Sequence, residues 1–459
     1  MSRWDKIEDN KCQSYESEWL FIHPYVLDIS EFKNKHPGGR LALEHGRYQD
    51  MTDYFITLHP EQTESYLKYY AMGELVNGDI KWQGKCKYSK NEKIAIQKAL
   101  LVIHSDVEMT KQRQSVVDMH KALLKEGVYE TKLSFYVIEV CKLIILASFC
   151  IYLLNNECWL SSSFVLGFFW HQLAFIGHDL GHYGVTHTPL DYQLGVFIGD
   201  FCGGISIGWW KHSHNIHHII TNDPHHDPDI QHLPFFAVTS EFFNSIYSSF
   251  HGRKLKFDGF SRFIVQYQHY LYYFVLMFGR FNLYVQSWVY LSGYLTTDKI
   301  KHRKLEIVSM VGFMIWYSML LSHIPGIWNK LLYTFICHAL TALLHVQITL
   351  SHFAMDTATP LQETVMHRML RTTMDVECSS WLDWLHGGLQ FQTTHHVFPR
   401  LPRHELRHIR IRLQGLAKEM GVDYKSVGFV QGNGMVLKAL RFVANLAGGF
   451  SPKSGLKSK

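Results

Sequence analysis

The sequence has little that cross-links and little that carries charge. Its eight cysteines, Cys12, Cys86, Cys141, Cys150, Cys158, Cys202, Cys337 and Cys378, are scattered without a CxxC pair. That excludes a disulfide framework and reads as free thiols in a reducing compartment. A net charge of +5 over 459 residues, with no basic stripe beside a stacking platform, excludes nucleic acid as a partner. The opening MSRWDKIEDNK has no apolar h-region, so no secretory signal peptide is expected. Any membrane entry must then come from internal segments. A mean hydropathy near zero argues against a chain that is membrane throughout.

What the sequence does have is histidine. Of its 30 histidines, 11 fall between His171 and His232. In HDLGH, His178 and His182 are four apart, so on a helix both rings leave one face. HNIHH places His214, His217 and His218 at i, i+3 and i+4, and QTTHH places Gln392, His395 and His396 at the same offsets. Three such clusters offer more neutral imidazoles than one tetrahedral zinc needs, which implies two metals. Imidazole suits iron, copper, nickel and zinc alike, so ligand type leaves the metal open.

Three further regions organise the chain. Residues 1–76 are polar and aromatic-rich, with an alternating run from Tyr25 to Ile29 and a His36-Pro37-Gly38-Gly39 turn that suits holding an imidazole against a flat cofactor. Residues 77–131 are charged with helical apolar spacing, an amphipathic linker. Residues 132–430 carry four apolar runs of about the length that crosses a bilayer, 132–154, 158–176, 305–321 and 327–350; 431–459 read as a C-terminal tail. In the first run Glu139 and Lys142 sit three apart and are expected to neutralise each other. Two hairpins return the chain to one side each time, and Lys121, Lys125, Lys132, Lys299, Lys301, Arg303 and Lys304 on that side make it cytosolic, both termini included. The stretch 192–210 reads as re-entrant or interfacial and 263–294 as lying on the membrane surface, a true crossing being the alternative for either. The fold class is thus an α-helical membrane protein, a four-span bundle with a cytosolic cap, preceded by a small α+β domain.

The N-terminal segment, with HPGG, TDYFITLHP and a closing MGEL, resembles the cytochrome b5 haem-binding domain. That resemblance implies haem b clamped by His36 and His59, with His45 a nearer competitor for the second position. A haem so ligated passes single electrons. The chain from about His171 to Arg407 resembles the membrane desaturases of the three-histidine-box superfamily, and the fused domain and Gln392 resemble its front-end subgroup. GWWKHSHNIHH, HDPDIQHLP and FQTTHHVFPRLPRHELR are most similar to fungal sphingolipid Δ8 (long-chain base) desaturases. The resemblance implies a non-haem di-iron centre held by His178, His182, His214, His217, His218, His395 and His396, with His352 rather than His345 or His338 on the last crossing and Gln392 a weak or water-mediated ligand. It also implies O2 as co-substrate, NADH-cytochrome b5 reductase as electron donor, and the endoplasmic reticulum membrane as location. Thr393 and Thr394 differ from the usual pair at their positions, and Ile348 stands where relatives can have asparagine.

The expected reaction removes two hydrogens from adjacent methylenes in the long-chain base of a ceramide or sphingoid base, which no side-chain acid or base can do unaided. Trp209, Trp210, Phe235 and Phe236 are candidates for an acyl tunnel or for ordinary packing. Alternatives are a front-end (Δ5/Δ6) fatty-acyl desaturase, a b5-fused lipid hydroxylase and, in another class, a non-catalytic haem electron carrier or zinc scaffold.

Overall fold

A computed structural model describes residues 18–296, 300–360 and 362–449; Cys12 and Lys299 lie outside the described residues. The alternation from Tyr25 becomes a strand, and four strands pair antiparallel in the order β1 (Trp19–Ile22), β2 (Tyr25–Asp28), β3 (Ala71–Val76) and β4 (Asp79–Trp82). Between β2 and β3 the chain forms α1 (Arg40–Glu44) and α2 (Thr52–Leu58). Pairing continues past residue 76 to Trp82. Beyond it, α3 (Lys90–Ser105), started by a Ser89/Glu92 capping box, packs Ile96, Leu100 and Ile103 on Trp19, Phe21 and Val26. Residues beyond 76 therefore add to the apolar core of the N-terminal sheet.

Helix α4 (Val107–Lys125), capped by Asp106, wedges Val116 and Leu123 between Tyr54 of α2 and the later Val365, Met366 and Met369. The linker is thus a structural wall between the two parts of the chain.

The apolar runs become α5 (Leu133–Asn155) and α6 (Trp159–Gly181), a hairpin; α7 (Ile207–Ile220) follows outside the membrane set. The second hairpin is α8 (Arg303–Ser322) with α9 (Ile327–Leu340), which continues as α10 (Ala342–His352). Among the described residues these give four helices long and apolar enough to cross a membrane. α6 is the inner one, with 56% of its apolar window buried against 17% for α5. It can sit there because Gly167 has no side chain: a Cβ would lie 2.9 Å from the Cys337 carbonyl of α9. Lys142 pairs with Glu139 at 2.6 Å, and Arg403 from the cap adds a second contact to that carboxylate at 2.8 Å.

The stretches 192–210 and 263–294 hold only short helical pieces, none of crossing length. Toward the C-terminus come α11 (Val365–Thr372), α12 (Asp383–His386), α13 (Gln392–Val397) and α14 (Phe429–Gly449). The last corrects the expected tail. Val436, Leu440, Val443 and Ala447 recur at helical spacing and pack on Phe242, Val265 and Tyr272.

Candidate metal centre

Four elements bring the three histidine clusters together. His178 lies in the last turn of α6 and His182 caps its end. Ser206 caps α7 by accepting from Trp209 N at 2.9 Å, and α7 carries His214, His217 and His218. His352 ends α10, and α13 holds His395 and His396. Between α6 and α7, Trp210 packs on Gly181, where a Cβ would lie only 2.0 Å from the indole. The glycine of HDLGH is therefore a packing requirement.

Nitrogens of His178, His182, His214 and His395 all lie within 4.8 Å of one another, as do those of His217, His352 and His396. His218 sits between the two groups, its ring centre 4.8 Å from His395 and 4.2 Å from His396. Its Nε2 is 3.1 Å from His214 Nε2. Two metal-sized groups of imidazoles thus share a wall.

The donor chemistry fits metal ions. His182 Nε2, His218 Nδ1, His395 Nε2 and His396 Nε2 are buried without a hydrogen-bond partner, a costly arrangement for polar atoms with nothing to bind. Burial, then the neighbouring imidazoles, push all four rings well below the ordinary histidine range, so they are neutral as ligands must be. His352 Nδ1–H donates to the Thr372 carbonyl at 3.2 Å, which leaves Nε2 for the cluster.

At His217 burial opposes protonation, but Asp227 and Asp229 outweigh it and raise the ring to about 9, so a metal at its Nε2 would have to displace a proton from that nitrogen. Its Nδ1 donates to both oxygens of Asp227, at 3.0 and 2.9 Å, and Asp227 is fixed in turn by the backbone N–H groups of Asn222 and Asp229. A carboxylate behind a histidine fixes its tautomer and orientation. Sequence reasoning did not pick out Asn222, Asp227 and Asp229 individually, although the Asp-Pro-Asp run just after HNIHH is the signal.

Of the remaining candidates, Gln392 is buried on α13, three residues before His395. His338 lies against Trp170 and Phe281, and His345 beside Gly279. Trp210 packs on His178, His182 and His214, whereas Trp209 and Phe236 sit in separate apolar clusters and Phe235 is exposed. The threonines of QTTHH anchor α13: Thr393 N donates to Asp375 at 2.9 Å, and Thr394 contacts Tyr424 at 3.3 Å.

A second imidazole pair lies in the N-terminal domain. His36 precedes α1 and His59 caps α2, with ring centres 5.9 Å apart. A metal held about 2 Å from one nitrogen of each ring spaces the centres by roughly 6 Å. Both Nδ1 atoms donate to carbonyls, of Gly39 at 3.3 Å and Phe55 at 3.0 Å, which leaves Nε2 of each ring open to a ligand between them. Burial, then His36, lower His59 to about 4. A Cβ on Gly38 would lie 2.9 Å from the His36 ring, which explains the glycine beside it. His45 points elsewhere: its ring meets His226 at 4.6 Å, across the domain boundary.

That boundary is the back of α7. Ile216, Ile219 and Ile220 pack on Leu41 and Ala42 of α1, while His214, His217 and His218 enter the histidine cluster. One helix thus serves both sites.

The family model described as Fatty acid desaturase matches residues 157–428, and that of the Cytochrome b5-like Heme/Steroid binding domain matches residues 3–76. A Delta 8-(E)-sphingolipid desaturase of Emericella nidulans is 46% identical over 71% of this chain; the match spans only 61% of that relative's length. A protein of the same name from Komagataella phaffii is 33% identical over 93% of this chain and 90% of its own. A Delta(8)-fatty-acid desaturase of Helianthus annuus is 36% identical over 93% and 88%.

Proposed function

This chain belongs to the fatty acid desaturase family and carries a cytochrome b5-like domain, and we propose from that premise that it is a membrane lipid desaturase placing a Δ8 double bond in the long-chain base of sphingolipids. The observation that carries the reading is the convergence of eight imidazoles, in two groups bridged by His218, on the helix whose other face docks the haem domain. The names of the fungal relatives supply the substrate class.

The overall change takes two hydrogens from adjacent methylenes and reduces one O2 to two waters, with two electrons and one proton drawn from NADH through cytochrome b5 reductase and a second proton from solvent. Bound non-haem iron supplies the oxidant that unactivated C–H bonds require, and haem b relays electrons singly.

The chain's own residues do the holding. His178, His182, His214 and His395 offer one set of nitrogens, and His217, His352 and His396 the other, with His218 between them; Gln392 is an outer or water-mediated ligand. Asp227 keeps the His217 proton on Nδ1. Trp210 walls three of the rings. His36 and His59 present Nε2 to the haem. The lysines flanking the spans set both termini in the cytosol, on the endoplasmic reticulum membrane.

Lipid analysis of a host with saturated long-chain bases tests the reading. Expression of this chain yields bases lighter by two hydrogens, with the double bond at carbon 8. The sunflower relative's name favours a second reading, an acyl substrate, which new unsaturated acyl chains without new bases would establish. A gain of one oxygen would assign hydroxylation instead.

A further inference from the structure

A second polar cluster lies beside the last stretch of the membrane bundle, outside the ligand set. His171 is on α6, seven residues and two turns before His178, so the two rings leave the same face roughly 10 Å apart along the axis. It is fully buried. Gln172 Nε2 donates to His171 Nδ1 at 3.1 Å and to the Trp384 carbonyl of α12 at 3.0 Å, while His171 Nε2 has no partner. Gln347 is on α10, five residues before His352, and is 6% exposed. Its Nε2 donates to His386 Nδ1 at 3.0 Å, and its Oε1 has no partner. Trp384 and His386 lie two residues apart on α12, which brings the His171–Gln172 pair and Gln347 to the same short helix.

The chemistry left open is specific. With Nδ1 accepting, His171 offers an unused Nε2–H donor; Gln347 offers an unused carbonyl acceptor. Buried polar atoms without partners are costly. Neither group is charged, and the nearby Asp383 is committed to Arg407 and Gln390. The cluster therefore suits a neutral group that both accepts and donates, a hydroxyl or an amide. It does not suit a phosphate or a carboxylate.

Access and spacing point to a lipid. Trp381 and Trp384, 71% and 49% exposed, flank the cluster on the outside. Exposed tryptophans mark the membrane–water level, where the polar end of a bilayer lipid resides. In a sphingoid base five or six carbon–carbon bonds of about 1.5 Å separate the 3-hydroxyl and the 2-amide from carbon 8, a zigzag of roughly 6–8 Å. A reacting carbon lies a further ~3 Å from what attacks it. The sum matches the rise from His171 to His178.

Resting on the reading of the preceding subsection, we propose that His171 and Gln347 grip the hydroxyl and amide at the polar end of the substrate and thereby set which carbons lie against the metal cluster. They are specificity-determining residues, with His386 orienting Gln347.

The test gives the full chain, in membranes, ceramide and its analogue lacking the 3-hydroxyl. Wild type is expected to place one double bond at a single position in ceramide. On the analogue its KM rises about tenfold and the double bond spreads to neighbouring positions. H171F and Q347L are expected to treat ceramide as wild type treats the analogue, with non-haem iron per chain unchanged; H171Q and Q347N restore much of the selectivity. Equal KM and a single position with both lipids in wild type would overturn the proposal, as would H171F and Q347L keeping wild-type KM and position. Should the apolar variants fail to fold, the wild-type comparison decides alone. Wild type giving no unsaturated base at all would instead remove the parent reading, and is seen without any variant.

Discussion

Arg368 Nε of α11 donates to the hydroxyl of Tyr54 of α2 at 3.0 Å, tying the helix that ends at His59 to the membrane part of the chain. Asp53 reinforces the joint by accepting from Val365 N at 2.8 Å. Docking at this joint fixes the relation between the haem pair and the histidine cluster. Tyr54→Ala should loosen it by more than 1 kcal/mol, slowing haem reoxidation in the presence of substrate by about tenfold, while reduction of the haem by the reductase is unchanged. Stopped-flow absorbance at the haem band checks both phases.

Behind that joint lies Glu363, whose carboxylate pairs with Arg371 and, at 3.2 Å, with Arg368. Burial opposes its ionisation, but the Arg371 and His367 hydrogen bonds and the Arg368 charge outweigh it and lower Glu363 to about 2 from an ordinary 4.5. A depressed folded-state value means the stabilisation is full above about pH 4.5 and is lost as pH falls from there toward 2. Glu363→Gln should cost up to about 3 kcal/mol at neutral pH and flatten the acid limb in that window. Thermal melts of the solubilised protein against pH measure it.

Gly181→Ala should force Trp210 away from the His178 and His182 rings, because the added Cβ meets the indole at 2.0 Å. Overpacking of this kind costs typically 1–3 kcal/mol. The expected outcome is loss of non-haem iron with the haem spectrum intact. Retained iron would show that the wall gives way elsewhere.

Asp227→Asn keeps the size of the side chain and removes the carboxylate that holds the His217 proton. Metal affinity should fall by about 10–100-fold, as for other carboxylates behind metal-bound histidines. Iron titration of metal-stripped protein reads the change.

Most of this architecture is legible in the residues. The four crossings follow from run lengths, and the histidine spacing already places pairs of rings on single helix faces. The choice of His352 over His338 and His345 came from family resemblance, since nothing local distinguishes them; the fold separates them by putting only His352 beside His217 and His396. What spacing does not convey is which face of α7 meets which neighbour. Ile216 and Ile220 look like ordinary core until α1 is found against them. The buried partners Arg403 and Asp227 come from remote or irregular segments that no periodicity marks. The C-terminal helix, where a tail is expected, is carried by an apolar stripe whose partners, Phe242, Val265 and Tyr272, lie far away in sequence.

The decisive quantity is how much metal the histidine cluster holds. Anaerobic metal analysis of the purified chain should find about three irons, one extractable as haem and two not; His36→Ala should lose only the first and His218→Ala only from the second pool. Zinc alone at the cluster, in protein kept from mis-metallation during expression, or non-haem iron undiminished in the His218 variant, would contradict it.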